Sequence, residues 1–300
     1  MPDTSDRRAA PSRPAHSPQR GDGVTYQEAW VDRGGQRLYA RDYPGQEPAI
    51  VLLHGFPDNL HLYDRLVPRL NPPRRVVTFD FLGWGASDKP TGYPYTAANQ
   101  TGDLDAVIGQ LGLDQVTIVV HDASGPPGID WALAHPDRVA LLILLDTYYC
   151  LMPTLRLPEA IALYSTPLLR NLGRGLARAL PSWDRRLYQW QVGRFITDAA
   201  VRQELVPPLY QAFLAARPAF WTLNNELLAT VISHTRRIPE LRRFTRPVRI
   251  IFGERDPYLN RGVARRFHRL FPTSELFLVS GAGHYVQVDQ PEQVASHILA

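Results

Sequence analysis

Short apolar runs alternate with amphipathic stretches along most of this chain. The runs are apolar at successive positions, which is typical of strands that are covered on both faces of a sheet. They lie at 49–53, 75–79, 116–120, 139–145, 247–252 and 275–279. Helical spacing of apolar residues fills the intervals 59–70, 99–112, 126–135 and 260–270. This alternation predicts an α/β protein with a largely parallel sheet and helices on both sides of it.

Two segments depart from this alternation. Residues 25–43 alternate around Gly34 and Gly35, which predicts a β-hairpin. Between Leu145 and Pro247 the chain shows helical periodicity and no clear strand, and this interval is too long for a plain crossover. We therefore expect a helical cap domain at 150–242, inserted into a core domain made of 24–149 and 243–300.

Composition and charge narrow the possible partners. Residues 1–23 are rich in Pro, Ser, Arg and Asp, which predicts a disordered tail and not a signal peptide or membrane anchor. No run of 18 apolar residues follows, so we expect no membrane partner. The formal net charge is +4 and the arginines are scattered, which disfavours nucleic-acid binding. The single cysteine, Cys150, cannot form an intrachain disulfide and fits a reducing cytoplasm.

Three residues that could cooperate in catalysis each follow a predicted strand. They are Asp122, Asp256 and His284. Because the carboxyl ends of parallel strands meet at one edge of a sheet, we expect these side chains to lie close together. Their order along the chain is nucleophile, acid and histidine, as in hydrolases whose nucleophile occupies a tight turn between a strand and a helix.

These residues belong to five motifs that together resemble a known family. The motifs are HGFP at 54–57, DFLGWGASDKP at 80–90, HDASG at 121–125, GERDP at 253–257 and GAGH at 281–284. In nearly everything after residue 25 the chain is similar to α/β hydrolases of the haloalkane dehalogenase and epoxide hydrolase branch. The resemblance implies a mostly parallel eight-stranded sheet flanked by helices, an inserted helical cap, and no cofactor or metal.

An aspartate at the nucleophile position favours attack on a saturated carbon. A serine would leave an ether there, whereas Asp122 would leave an ester that water can cleave. The ordinary pKa of an aspartate, about 3.9, predicts a nucleophile that is already ionised. His284 would then activate the hydrolytic water, while Asp256 orients the imidazole. We expect the backbone N–H groups of Phe56 and Ala123 to bind the oxyanion of that second step.

Alternatives to these roles remain open. Asp122 could be only a helix N-cap, and Ser124 could be proposed as the nucleophile. Asp146 is a rival to Asp256 for the acid, because some dehalogenase-like relatives carry the acid after that strand. His54 and His121 are expected to bond loop backbone, and the other scattered histidines lack metal-ligand spacing.

The positions that select the substrate depart from the family pattern. Ala123 and Phe56 stand where dehalogenases of this branch carry the two side-chain donors for the halide, and Ala123 also replaces the arginine of fluoroacetate-type relatives. Epoxide hydrolases protonate the opening ring from cap tyrosines, and Tyr164 lies where the first would be expected. The second expected place shows Trp221, with Tyr210 the nearest tyrosine. Tyr148, Tyr149 and Tyr188 are further candidates.

The expected ligand is a small hydrophobic substrate, with water as the second reactant. We predict an apolar pocket lined by aromatic side chains: Phe56, Trp183, Trp190, Tyr210 and Trp221. An epoxide hydrolase is the first hypothesis. The others are a dehalogenase with an atypical halide site, an ester or lactone hydrolase, and a non-hydrolytic biosynthetic or binding homologue. The sequence leaves open whether the protein is a monomer or a homodimer.

Overall fold

The computed structural model describes residues 19–21 and 23–300, and its centre is a single β-sheet. The strands are β1 (Gln19–Gly21), β2 (Val24–Arg33), β3 (Gln36–Tyr43), β4 (Gln46–Leu53), β5 (Arg74–Phe79), β6 (Val116–Asp122), β7 (Val139–Thr147), β8 (Val248–Gly253) and β9 (Ser274–Val279). Their spatial order is β1-β2-β3-β5-β4-β6-β7-β8-β9. In this spatial order, the neighbouring strands β5, β4, β6, β7, β8 and β9 all pair parallel. The pairs β1 with β2, β2 with β3, and β3 with β5 are antiparallel. The predicted eight-stranded, mostly parallel sheet is therefore confirmed in β2 to β9.

The short strand β1 corrects one expectation. Residues 19–21 belong to the predicted disordered tail, yet Gln19–Gly21 pairs antiparallel with β2. The pairing uses backbone groups alone, so it leaves no apolar pattern in the sequence. The rest of the predicted tail, residues 1–18 and 22, lies outside the described residues, whereas the hairpin predicted at 25–43 is confirmed by β2 and β3.

The apolar runs became strands because both faces of the sheet are covered. In β4, Val51 and Leu53 contribute to one hydrophobic cluster, while Ile50 and Leu52 contribute to a second cluster on the opposite face. All four side chains are buried. A strand buried on both faces cannot carry polar residues at alternate positions, which explains the continuous run at 49–53.

Helices lie between the strands as the spacing predicted. They are α1 (Val67–Leu70), α2 (Ala97–Gln110), α3 (Gly125–Ala134), α4 (Glu159–Ser165), α5 (Arg170–Ala179), α6 (Pro181–Gly193), α7 (Ala199–Thr235), α8 (Ile238–Leu241), α9 (Arg261–Leu270), α10 (Val286–Asp289) and α11 (Pro291–Leu299). The stretch 59–70 divides into a 3-10 turn, Leu60–Tyr63, and the short helix α1. No helix in the described part of the chain is long and apolar enough to cross a membrane.

The interval between β7 and β8 consists of helices and the loops that join them. It contains α4 to α8, which we call the helical insertion, and within 148–247 the structure describes no strand. Its longest element, α7, continues for 37 residues although Pro207, Pro208 and Pro218 lie inside it. The helical content matches the prediction, while the boundaries of a separate cap domain at 150–242 stay a prediction.

Candidate active site

The turn after β6 holds Asp122 in an uncommon backbone conformation. Its φ angle is +49°, in the left-handed region that non-glycine residues seldom adopt. Helix α3 begins three residues later, so the side chain projects from a tight turn. The neighbouring loop must approach closely, because a Cβ added to Gly55 would lie 2.7 Å from the Cβ of Asp122. Strain of this kind is maintained at functional sites by the surrounding structure.

The two carboxylate oxygens of Asp122 have different environments. Oδ2 accepts a hydrogen bond from the backbone N–H of Phe56 at 3.3 Å, and the N–H of Ala123 also bonds this carboxylate. Oδ1 lies 3.9 Å from Nε2 of His284. The side chain does not cap α3, whose N-cap residue is Ser124, so the interpretation of Asp122 as a helix cap is wrong.

His284 lies between two aspartates in the loop after β9. Its Nδ1 donates to Oδ2 of Asp256 over 2.8 Å, which leaves Nε2 directed toward Asp122. The other oxygen of Asp256 accepts backbone N–H bonds from Tyr258 and Leu259 at 2.7 and 3.1 Å. The acid is therefore fixed by the loop after β8, and it in turn fixes the imidazole ring.

Burial and neighbouring charges shift the pKa values of Asp122 and His284. Burial raises the pKa of Asp122, against the opposing effects of the charge on His284 and the N–H groups of Phe56 and Ala123. The nucleophile therefore ionises at a higher pH than the free side chain. Burial alone would lower the pKa of His284, but the charge and hydrogen bond of Asp256, with the charge of Asp122, raise it above its ordinary value.

The structure separates the alternatives for nucleophile and acid. The hydroxyl of Ser124 is buried and bonded to backbone oxygens of Leu53 and His121, so it does not face the site. Asp146 is also buried, and its two oxygens accept only the N–H of Gly253, at 2.9 and 3.1 Å. Burial raises the pKa of Asp146 well above the ordinary range, and no hydrogen bond joins it to His284 in residues 23–300.

A further carboxylate, which the sequence did not single out, lies close to the pair. Asp58 is buried, and its Oδ1 accepts the hydroxyl of Tyr285 at 2.5 Å. Burial is the main cause that raises the pKa of Asp58 to about 7, and the charge of Asp122 adds to it. Its other oxygen is buried without a hydrogen-bond partner among the described residues. The only sequence signal was its position directly after the HGFP motif.

Two other histidines near the site bond the backbone, as predicted. His54 contacts the oxygen of Gly55 through Nδ1 at 2.7 Å and accepts the N–H of Phe81 through Nε2 at 3.3 Å. His121 contacts the backbone oxygen of His284 through Nε2 at 3.0 Å. These contacts position the loops that carry the catalytic candidates.

An apolar cavity opens onto Asp122 and His284. The sheet edge contributes Phe56 and Tyr148, and the helical insertion contributes most of the remaining lining. Large apolar side chains dominate that contribution: Ile161, Leu187, Val192, Phe195, Phe213, Phe220, Leu227 and Val231. A cavity of this composition suits a hydrophobic ligand.

Tyrosines line the cavity as well. Tyr164, predicted as a proton donor, is one of them, together with Tyr148 and Tyr188. In residues 23–300 none of these three hydroxyls has a hydrogen-bond partner, whereas Tyr149 bonds Asp130 away from the cavity. Burial raises the pKa of Tyr164 to about 12 and those of Tyr148 and Tyr188 well above their ordinary value, so all three phenols keep their protons at neutral pH.

The other predicted pocket residues do not line the cavity. Trp190 is 46% exposed and lies under the guanidinium of Arg194. Trp221 faces Arg174 and Arg178, and the hydroxyl of Tyr210 bonds Asp184. Trp183 is half-buried, outside the lining that the structure describes. The prediction was wrong for these four residues because a tryptophan count does not show which face of a helix turns inward.

Comparisons with known proteins agree with this architecture. The profile of the alpha/beta hydrolase fold family matches residues 48–291. A cis-3-alkyl-4-alkyloxetan-2-one decarboxylase of Shewanella oneidensis is 25% identical over 291 residues, covering 92% of this chain and 88% of the relative. Haloalkane dehalogenase 2 of Mycobacterium bovis is 26% identical over 284 residues, covering 91% and 94% of the two chains.

A solved structure has the same fold. The haloalkane dehalogenase DatA of Agrobacterium tumefaciens superposes with a TM-score of 0.78 at 22% identity, over 92% of this chain and 95% of the other. Likeness at this level of identity establishes the architecture and not the substrate.

Proposed function

Because this chain belongs to the alpha/beta hydrolase fold family and is an α/β-fold hydrolase, we propose that it opens an apolar electrophile, an epoxide, through an ester of Asp122. The observation that carries the proposal is the division of labour between the two oxygens of Asp122. The backbone N–H of Phe56 holds Oδ2 and the N–H of Ala123 bonds the same carboxylate, while Oδ1 lies toward His284 at the cavity. A side chain held in this way is placed to attack and then to be released.

In the first step, Oδ1 of Asp122 attacks a saturated ring carbon of the epoxide. A carbon–oxygen bond of the ring breaks, and its electron pair stays on the departing oxygen. That oxygen takes a proton from a phenol of the cavity, so the step leaves a single adduct, the hydroxyalkyl ester of Asp122, and a tyrosinate. Tyr164 is the proposed donor, with Tyr148 and Tyr188 as its rivals, because all three hydroxyls are unpaired and protonated at neutral pH.

In the second step, water attacks the carboxyl carbon of the ester. Nε2 of His284 takes the proton of that water, and Asp256 stabilises the imidazolium that forms. Negative charge develops on Oδ2 of Asp122, which already accepts the N–H of Phe56, and the N–H of Ala123 bonds the same carboxyl group. Each such donor contributes roughly 3 kcal/mol in related chemistry. Collapse of the tetrahedral intermediate breaks the ester bond, and the imidazolium of His284 gives its proton to the departing alkoxide, which completes the diol. The carboxylic acid left on Asp122 then loses its proton, which returns through solvent to the tyrosinate of the first step, so all groups are restored.

The environment of the departing group favours an oxygen over a halide. Phe56 and Ala123 supply backbone N–H groups to the carboxylate, and their side chains carry no hydrogen-bond donor. A halide released beside them would lack side-chain donors from these two positions. An alkoxide can instead be neutralised by a phenol of the cavity wall.

A trapping experiment tests this proposal. His284→Gln removes the base, so exposure to an aryl epoxide that the wild type hydrolyses should add the mass of that epoxide to the intact protein. Peptide mapping should place the adduct on Asp122, and the double variant Asp122→Ala/His284→Gln should stay unmodified. A His284→Gln protein that keeps its mass, with a substrate that the wild type consumes, would contradict the proposed ester.

A strained lactone is the second candidate substrate. The similarity to an oxetan-2-one decarboxylase over most of both chains supports it. If Asp122 attacks the alkyl carbon of such a ring, the leaving group is a carboxylate that needs no proton donor. Replacing Tyr148, Tyr164 and Tyr188 singly by Phe should therefore slow an epoxide reaction at one position and leave a lactone reaction unchanged at all three.

The remaining expectations belong to the same proposal. The helical insertion would act as a cap that keeps bulk water from the ester, because it supplies most of the cavity wall. The reactants would be a small hydrophobic molecule and water. A cytoplasmic location is supported by the single cysteine, Cys150, which is buried and unpaired.

A further inference from the structure

Helix α5 of the helical insertion presents leucines to solvent. Leu168, in the turn before the helix, is 89% exposed, and Leu172 is 58% exposed. Gly175 and Ala179 continue the same stripe at helical spacing, and a Cβ added to Gly175 would meet no atom within 4 Å. This outward stripe is apolar along its whole length, which is unusual because outward positions of surface helices are normally polar.

Arginines border this stripe without acidic partners. Arg170, Arg174 and Arg178 recur every four residues along α5, and residues 160–183 contain no Asp or Glu. Within residues 23–300 none of the three forms an ion pair, and Nε of Arg174 is buried without a partner. Besides burial, the charges of Arg170 and Arg178 lower the pKa of Arg174, so the three cations repel one another.

The arginines are held in place beside the leucines. Arg170 and Arg174 donate to the side-chain oxygen of Asn225 on α7, at 3.2 and 2.9 Å. The guanidinium carbons of Arg174 and Arg178 lie 5.4 and 5.1 Å from the ring centre of Trp221. Positive charge is thus fixed at one border of the apolar stripe, and no carboxylate in the described part of the chain neutralises it.

We call the apolar stripe of α5 and the arginines that border it the α5 face. From the juxtaposition of leucines and arginines we propose that the α5 face docks on an anionic lipid surface. Leu168 and Leu172 enter the boundary between head groups and acyl chains, while the arginines contact lipid phosphates. An apolar stripe bordered by cations is typical of helices that lie in a membrane interface. This binding is peripheral and involves no spanning segment, so it revises only the expectation that the protein has no membrane partner.

A second copy of this chain fits the surface less well. In a two-fold symmetric contact the same patch meets itself, which would bring the arginine rows of both copies together without acids between them. An acidic protein would satisfy the charges, but it would also have to offer an apolar groove to Leu168 and Leu172. A fluid lipid surface accommodates both features.

The surface also lies on the outer side of the cavity wall. A Cβ added to Gly173, on the inner side of α5, would lie 3.1 and 3.2 Å from atoms of Leu163 and Tyr164 on α4. Tyr164 lines the cavity. Docking through α5 would hold this wall of the cavity against the lipid phase, where hydrophobic molecules concentrate.

Vesicle sedimentation of the full chain tests the proposal. One set of vesicles contains phosphatidylcholine alone, and the other contains phosphatidylcholine with phosphatidylglycerol. We expect binding to the anionic vesicles that is at least about tenfold stronger than to the neutral ones and that weakens as salt is raised. Leu168→Asp and Leu172→Asp should each weaken it by about tenfold or more, and Arg170→Gln/Arg178→Gln by a similar factor.

The matched control is Leu299→Asp, an exposed leucine at the end of α11, which should bind like the wild type. Unchanged melting temperatures of the α5 variants would show that they fold. Absence of binding to anionic vesicles by the folded wild type would overturn the proposal. Two other results would also overturn it: binding that Leu168→Asp does not weaken, and a dimer in solution that Leu168→Asp converts to a monomer.

Discussion

The carboxyl edge of the sheet and the helical insertion build the two halves of one cavity by different rules. At the edge, each candidate group is fixed by backbone geometry: Asp122 by a left-handed turn and two N–H groups, and Asp256 by two more. In the insertion, the lining is mainly apolar and phenolic, with Asp184 and Gln191 as its polar side chains. Under the proposed function, the reaction would depend on the edge and the choice of substrate on the insertion.

The largest effect should come from the nucleophile itself. Asp122→Ala removes the group that forms the ester, so we expect turnover to fall by at least about 10,000-fold. Ser124→Ala, next but one along the chain, removes a hydroxyl that bonds only backbone and should change turnover by less than about threefold. Steady-state kinetics on one substrate measures both changes in turnover. Equal losses of turnover in the two variants would contradict the assignment of Asp122 as the nucleophile.

Substitutions of two buried aspartates at the carboxyl edge of the sheet, Asp256 and Asp146, should differ nearly as much in their effect on the reaction. Asp256→Asn removes the charged partner of His284, and we expect ester hydrolysis to slow by about 1,000- to 10,000-fold while ester formation changes little. The pKa of His284 should fall, so the remaining activity should begin at lower pH. Asp146→Asn, which alters only a bond to Gly253, should leave both steps within about threefold. Single-turnover kinetics across pH measures both, and a larger loss in Asp146→Asn would make it the acid.

The sequence predicted the edge well because its chemistry is tied to chain order. Each apolar run ends within two residues of the end of its strand, so Asp122, Asp256 and His284 could be placed together from the pattern. The insertion offers no such marker. Trp190 turns to solvent and Trp221 to arginines, and the 37 residues of α7 pass through three prolines that the sequence rules treat as breaks. Asp58 escaped notice because its burial depends on Tyr285, more than 200 residues away in the chain.

Substitutions of the cavity tyrosines, two in the insertion and Tyr148 at the edge, should have intermediate effects that depend on the substrate. One of Tyr148, Tyr164 and Tyr188 should be the proton donor. Replacing that tyrosine by Phe should slow epoxide opening by about 100-fold, because the alkoxide then lacks its proton. Trp190→Phe, outside the cavity lining, should stay within about twofold of the wild type. Rapid-quench measurement of ester formation compares them. If none of the three Phe variants slows the reaction, the phenols only shape the cavity.

The smallest effect should appear in stability at Asp58, where the edge meets the insertion. The folded pKa of about 7 lies above the ordinary 3.8, so the folded protein keeps a proton that the unfolded chain releases. Stability from this group is present at low pH and is lost as pH rises from about 4 to 7, by about 1.4 kcal/mol per unit. Asp58→Asn should therefore gain about 2 to 3 kcal/mol relative to the wild type between pH 5 and 8. Urea unfolding at both pH values tests this, and a difference independent of pH would show that Asp58 ionises normally.

The central claim is that the new oxygen of the product comes first from Asp122 and only later from water. One turnover by excess enzyme in heavy-oxygen water tests it most directly, with mass spectrometry of both the product and the peptide that carries Asp122. An ester of Asp122 would give an unlabelled product and one heavy oxygen in the carboxylate. Label in the first product, with Asp122 unlabelled, would mean that water attacks the substrate directly and would contradict the account.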